Sequence, residues 1–138
     1  IRLYQYPIVD PAAGRAVLEE TLDELERAGR ETDVPIVVFP EGTRTRDGEI
    51  GRFKPAGLTR LLAARPWTVH VFVADGFWKA AKLEGTAEEL GRIEGRFAPA
   101  GTLEWSDPDA DPAPFMDQAR ALMVEALAEL RRREAATA

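Results

Sequence analysis

Residues 34–54, VPIVVFPEGTRTRDGEIGRFK, join an apolar run to a polar loop that contains glycine. The run at 36–39 is continuous and apolar, as in parallel strands that are covered on both faces, and Pro40 prevents its extension. The pattern therefore predicts a buried strand. Ligands of open α/β sheets bind outside the carboxyl ends of the strands, so the next residues, EGTR at 41–44, are expected to form a binding loop.

The residue types of this loop suit an anionic ligand. From Arg44 to Lys54 there are four cations and two anions, in a chain with a net charge of −6. Gly42 allows backbone N–H groups to approach a ligand closely, and the planar fork of Arg44 matches phosphate oxygens. Thr43 supplies a hydroxyl, and Glu41 is expected to hold the Arg44 fork or to accept a substrate hydroxyl. The alternative is a surface loop in which Glu41 and Arg44 only pair with each other.

The string FPEGTR at 39–44, with RDGE at 46–49 and FKPAG at 53–57, resembles the third conserved block of the 1-acylglycerol-3-phosphate (lysophospholipid) acyltransferase family. The sequence departs mildly from that block, at Thr45 and at Ala56-Gly57. In the family this block binds the phosphate and glycerol of the acceptor. The resemblance therefore implies a substrate-binding set made of Glu41, Gly42, Thr43, Arg44 and, in support, Lys54.

The resemblance also implies an activity and a setting. The expected enzyme transfers an acyl chain from acyl-CoA or acyl-carrier protein, as co-substrate, to a lysophospholipid such as 1-acylglycerol 3-phosphate. No metal or redox cofactor is expected. The expected partners are the lipid acceptor, the thioester donor and a membrane surface, with the protein peripheral on its cytoplasmic face. The alternative is a non-catalytic phosphate-binding or interaction module that has lost its catalytic residues.

Family members carry a His-x4-Asp block in which the histidine deprotonates the acceptor hydroxyl and the aspartate orients it. His70 and Asp75 have this spacing, but they follow the FPEGTR string instead of preceding it. Residues five apart on a strand point to opposite faces and lie roughly 16 Å apart. We therefore predict that His70 is a packed structural residue and that the chain contains no catalytic dyad. The alternative is a rearranged dyad of His70 and Asp75, which would need both side chains within reach of the Arg44 loop. Because the chain begins with Ile1, we expect that the family's own block precedes it in a longer polypeptide.

The remaining elements are predicted from the positions of proline, glycine and capping residues and from the spacing of apolar residues. A short strand is expected within 1–9, a helix from Asp10-Pro11 to Gly29, a second helix between Pro55 and Pro66, and a second buried strand at 67–74. Thr86 and Glu89 fit a capping box. Two late strands, at 92–97 and 102–105, are expected on either side of a turn at 99–101. Residues 107–114 form an Asp/Pro-rich linker, and Pro112 opens the last amphipathic helix.

Together these elements predict one α/β domain over 1–138, with a mostly parallel sheet flanked by helices, glycerolipid acyltransferase-like and incomplete. The amino-acid composition argues against several other classes of protein. The chain has no cysteine and one histidine, which argues against disulfides, thiol nucleophiles and zinc sites. The pI near 4.9 argues against a general nucleic-acid binder. The aromatic and lysine residues of 76–83 suit either an interfacial segment or a loop packed on the domain edge.

Overall fold

The computed structural model describes residues 15–42, 45, 47–76 and 94–137. These residues contain helix α1 (Arg15–Glu31), helix α2 (Pro55–Ala64), strand β1 (Trp67–Asp75), strand β2 (Arg96–Trp105) and helix α3 (Ala113–Thr137). The two strands pair with each other, α3 packs against both of them, and α1 packs against α2. Among the described helices, none combines the length and the apolar character needed to cross a membrane.

Several predicted features lie outside the described residues. They are the short strand within 1–9, the helix start at Asp10-Pro11, the capping box of Thr86 and Glu89, the segment 77–83, and the loop residues Thr43, Arg44 and Arg46.

Helices α1 and α2 form a pair whose closest approach is at Gly29. A Cβ placed on Gly29 would lie 3.1 Å from the Leu61 Cδ2 and 3.2 Å from the Ala64 Cβ. The prediction that Gly29 closes the first helix is wrong, since α1 continues to Glu31 and Gly29 lies buried within it. Its physical role is therefore to allow close packing of the two helices, not to provide a left-handed cap.

The end of α2 is joined to the sheet by two tryptophans. The predicted limits of this helix are confirmed: Pro55 is its first residue and Pro66 follows its end. The last carbonyls of a helix lack partners within it. Here the Trp67 Nε1–H donates to the Leu61 carbonyl at 2.7 Å, and the Trp105 Nε1–H donates to the Leu62 carbonyl at 2.8 Å. Because Trp67 and Trp105 are paired across the strands, one end of the sheet caps α2.

Strands β1 and β2 are antiparallel, with Trp67 opposite Trp105 and Asp75 opposite Arg96. Within the described residues, the two predicted late strands form one strand that begins at Arg96, and the predicted turn at 99–101 is a β-bulge within it. Val71 pairs with Gly101 and Phe72 with Pro99, which leaves Ala100 as the additional residue. Proline and glycine mark an irregularity of the backbone in either case, so their sequence signal is the same for a turn and for a bulge.

The prediction of a mostly parallel sheet is not realised in the described residues, whose sheet consists of two antiparallel strands. Strand β1 is buried on one face only: Val71 and Val73 face inward, while Phe72 is 58% exposed. Residues 35–39 are assigned to no strand, and Val37 and Phe39 are 71% and 81% exposed. The physical reason is that an apolar run shows what a segment can bury but does not specify a partner or its direction.

The core lies between α3 and the inward face of the sheet. Phe53, Val71 and Ala119 are its buried centre, and it brings together the loop before α2, strand β1 and helix α3. Helix α3 starts at Ala113, whose N–H donates to the Asp111 carboxylate at 3.0 Å, and Pro112 accepts from the Met116 N–H at 3.0 Å. The first turn of the helix therefore overlaps the end of the linker predicted at 107–114. Phe53 belongs to the sequence motif, so the core holds this end of the motif segment in place.

Candidate functional site

The segment from Phe39 to Lys54 forms a loop closed by two backbone hydrogen bonds. The Gly42 N–H donates to the Phe39 carbonyl at 3.0 Å, and the Lys54 N–H donates to the Pro40 carbonyl at 2.8 Å. Gly42 has a φ of +63°, a left-handed conformation in which a side chain is strained. The chain therefore turns sharply after the apolar run and returns to the same point immediately before α2.

The Glu41 side chain spans the inside of this loop. Its Oε2 accepts a hydrogen bond from the Gly51 N–H at 2.6 Å. A Cβ on Gly51 would lie 2.9 Å from the same oxygen, so any other residue there would require the Glu41 carboxylate to shift. The sequence suggested the Arg44 fork or a substrate hydroxyl as the partner of Glu41. It gave no signal for Gly51, because a contact between residues ten positions apart in a loop follows no periodicity.

Lys54 lies over Gly42. A Cβ on Gly42 would be 2.9 Å from the Lys54 Cδ and 3.4 Å from its Nζ, so the lysine side chain covers the space that a side chain at Gly42 would fill. The structure thus brings together three of the predicted site residues, Glu41, Gly42 and Lys54. They lie where α2 begins, since Lys54 is the residue before its first turn. The N-terminal end of a helix carries a partial positive charge, which adds to that of the lysine.

The turn after the motif is organised by Asp47. Its Oδ1 accepts hydrogen bonds from the Thr45 hydroxyl at 2.7 Å and from the Glu49 N–H at 3.0 Å. The Gly48 N–H donates to the Thr45 Oγ1 at 3.2 Å, and Gly48 has a φ of +84°. These contacts form a local turn of the kind that Asp-Gly favours. Arg52 is exposed beyond it.

Two arginines of α3 hold the outer part of the loop, and sequence reasoning missed both. Arg120 donates to the carbonyls of Ile50 and Gly51, and Arg131 donates to the Gly48 carbonyl and to the Glu49 carboxylate. In the sequence, Arg131 has the pattern of a cation placed near a helix C-terminus. Its partners lie far away along the chain, so only the fold identifies them.

His70 lies near the middle of β1 and Asp75 is its last residue, and the two side chains are on opposite faces of the strand. His70 is exposed, and its Nδ1 is 3.0 Å from the Thr102 Oγ1. The prediction that its ring is packed inside the protein is wrong, because alternation along a half-covered strand turns His70 outward. Asp75 faces α3, where its Oδ2 accepts from the Arg131 Nε at 3.0 Å. The hydrogen bond with Asp75 is the main reason that the pKa of Arg131 lies above its usual value, and the Glu49 carboxylate adds to it.

The family model described as Acyltransferase matches residues 2–73, more than half of the 138-residue chain. The chain therefore belongs to the acyltransferase family. The match includes the loop from Phe39 to Lys54 and ends within β1, so β2 and α3 lie beyond it. No curated protein and no solved structure matches the chain.

The geometry of Gly42 gives a prediction about loop stability. Gly42→Ala is expected to lower the free energy of unfolding by about 1–2 kcal/mol, because alanine is strained at a positive φ and its Cβ would also displace Lys54. The matched control is Gly57→Ala in the first turn of α2. There the added Cβ would meet only the Leu25 Cδ2, at an ordinary 3.4 Å.

Urea unfolding of the two variants measures this difference. The Gly57→Ala variant should match or exceed the stability of the parent, because alanine has the higher helix propensity by about 1 kcal/mol. Equal losses in the two variants would contradict the described conformation of Gly42.

Proposed function

We propose that this chain supplies the acceptor-phosphate site of a lysophospholipid acyltransferase. The reaction would move an acyl chain from acyl-CoA or acyl-carrier protein to a lysophospholipid such as 1-acylglycerol 3-phosphate. The proposal rests on membership of the acyltransferase family and on the resemblance of residues 39–57 to the block that binds the acceptor. The activity would serve phospholipid biosynthesis, with the protein peripheral at the cytoplasmic face of a membrane.

The observation that carries the proposal is the position of Lys54 over Gly42. It places an ammonium group beside a glycine backbone at the N-terminal end of α2. A cation and the positive end of a helix are features that favour a phosphate. Glu41 supports this arrangement from within the loop, since its carboxylate is bonded to Gly51.

Within this proposal, Arg44 and Thr43 make the direct contacts with the phosphate. Arg44 would provide two parallel hydrogen bonds, and Thr43 a hydroxyl. Lys54 would add a point charge, and Gly42 would leave room for the lysine side chain to reach this position. Glu41 would keep the loop closed in addition to any contact with the acceptor glycerol.

A second candidate, a non-catalytic phosphate-binding module, is favoured by the geometry of β1. The chain has one histidine, and it is bonded to Thr102 on the outward face, while Asp75 is bonded to Arg131 on the other. No described pair of side chains therefore combines a histidine base with an aspartate that orients it. A His-x4-Asp block encoded upstream of Ile1 would support the enzyme, and a parent gene without it would favour the module.

Arg44 is expected to dominate phosphate recognition. Arg44→Lys should weaken binding of 1-acylglycerol 3-phosphate by about ten- to hundredfold, because an ammonium group keeps the charge but loses the planar fork. Arg46→Ala and Arg52→Ala are the controls, because each also removes one cation. They should lower the affinity only slightly, and added salt should abolish this difference. Equilibrium binding of the three variants checks this, with a phosphate-free monoacylglycerol as the control ligand. Parent-like binding by Arg44→Lys, together with a large loss in Arg46→Ala, would show that Arg46 and not Arg44 is the main phosphate contact.

The separation of His70 from Asp75 gives a prediction about activity. The 138-residue chain alone should release no CoA from acyl-CoA in the presence of 1-acylglycerol 3-phosphate, and His70→Ala should leave that baseline unchanged. Positioned general-base catalysis is worth roughly 10² to 10⁴ in rate, so a working dyad would be evident. Robust turnover that His70→Ala abolishes would show that the outward-facing histidine is the base.

A further inference from the structure

We infer that Arg120 and Arg131 are positioning residues, which hold segment 48–51 of the loop and thereby fix the Glu41 carboxylate beneath the candidate phosphate site. The functional consequence rests on the proposed phosphate site, whereas the positioning itself rests on contacts between described residues. Both arginines lie on α3, outside the range matched by the family model.

Arg120 acts on the peptide that contacts Glu41. Its Nη2 donates to the Ile50 carbonyl at 2.9 Å, and its Nε donates to the Gly51 carbonyl at 3.0 Å. The Ile50 carbonyl and the Gly51 N–H belong to one planar trans peptide and point in opposite directions. By holding the carbonyl, Arg120 therefore directs the N–H towards the Glu41 Oε2, 2.6 Å away. A cationic donor on the carbonyl also polarises the peptide and strengthens the bond on its other side.

Arg131 fastens the same segment to the sheet. Its Nη2 donates to the Gly48 carbonyl at 2.7 Å, its Nη1 to the Glu49 carboxylate at 2.8 Å, and its Nε to the Asp75 carboxylate at 3.0 Å. The Asp75 side chain is only 16% exposed, whereas that of Glu49 is 67% exposed. Since exposed ion pairs contribute little, the bonds to Asp75 and to the Gly48 carbonyl carry most of this attachment.

The two arginines act together because of their spacing. They are eleven residues apart, about three turns of an α-helix, so both project from the same side of α3. Arg132 and Arg133 follow immediately, but their hydrogen bonds go to Glu129 within the same helix. These two residues have the same charge and location without the contact to the loop, which makes them matched controls.

The test measures the loop directly, by hydrogen exchange of the Gly51 amide in the 15N-labelled 138-residue chain. The variants are Arg120→Gln and Arg131→Gln, with Arg132→Gln and Arg133→Gln as controls. Exchange at Gly51 should be at least about tenfold faster in the first two variants and unchanged in the controls. The amides of Val71 and Val73 in β1 should keep their protection, which separates local loosening of the loop from global unfolding. If Arg131→Gln fails to fold, Arg120→Gln still decides, since Arg120 is exposed and its hydrogen bonds are to loop carbonyls.

Affinity for 1-acylglycerol 3-phosphate is measured on the same samples, with monoacylglycerol as the control ligand. We expect roughly tenfold weaker binding by Arg120→Gln and Arg131→Gln, with little change in the two controls. Unchanged Gly51 exchange in Arg120→Gln would overturn the inference, and so would faster exchange with unchanged affinity. If the parent chain binds no phosphate lipid while Arg120→Gln loosens Gly51, the positioning is supported and the proposed function fails.

Discussion

The hydrogen bond between the Gly51 N–H and the Glu41 carboxylate is the contact on which the shape of the loop depends. Together with the bond from the Lys54 N–H to the Pro40 carbonyl, it closes a segment whose described residues form neither helix nor strand. A carboxylate-to-amide hydrogen bond is charge-assisted and stronger than a bond between neutral groups. Closure places Lys54 against Gly42 and starts α2 at the same point. The candidate site is therefore a consequence of how the loop is closed, not of a cleft between layers.

Local sequence signals predicted the parts of the fold that depend on local geometry. Pro55 and Pro66 define α2, because a proline at the start of a helix and another after its end act through the backbone of their own residues. The location of β1 followed from its β-branched run. The direction of its partner did not, since side-chain alternation is the same in parallel and antiparallel pairs. Gly29 was misassigned for a similar reason: the residue type indicates a need for space, and only the neighbouring helix shows what fills it.

In the candidate site too, the sequence indicated some residues, whereas the contacts that hold them depend on the fold. The family resemblance selected Glu41, Gly42, Thr43, Arg44 and Lys54 as one group, and three of these, Glu41, Gly42 and Lys54, lie together among the described residues. The contacts that hold them involve Gly51, which is ten residues from its partner Glu41, and the two arginines Arg120 and Arg131. Both strands of the sheet lie between these arginines and the loop along the chain. A glycine in a loop and arginines on a charged helix have no periodic pattern that would distinguish them. Their roles could be found only once the packing of α3 was known.

The apolar run from Val37 to Phe39 leads directly into the candidate loop. Its exposure means that its own packing does not fix the entry to the loop. The fixed points are the turn at Gly42, the return at Lys54 and the attachment to α3. This explains how a chain with a small sheet can still hold a defined loop geometry, because the constraints come from helix α3 and from the core around Phe53.

The most direct test of this account is a titration of the 15N-labelled chain with glycerol 3-phosphate, followed by the shifts of its amide resonances. Saturable shifts should concentrate at the amides of Gly42, Gly51 and Lys54. Glycerol, which lacks the phosphate, should leave these three resonances unchanged. Shifts that concentrate instead on the outward face of the sheet, at His70 and Phe97, would contradict the account and move the anion site away from the loop.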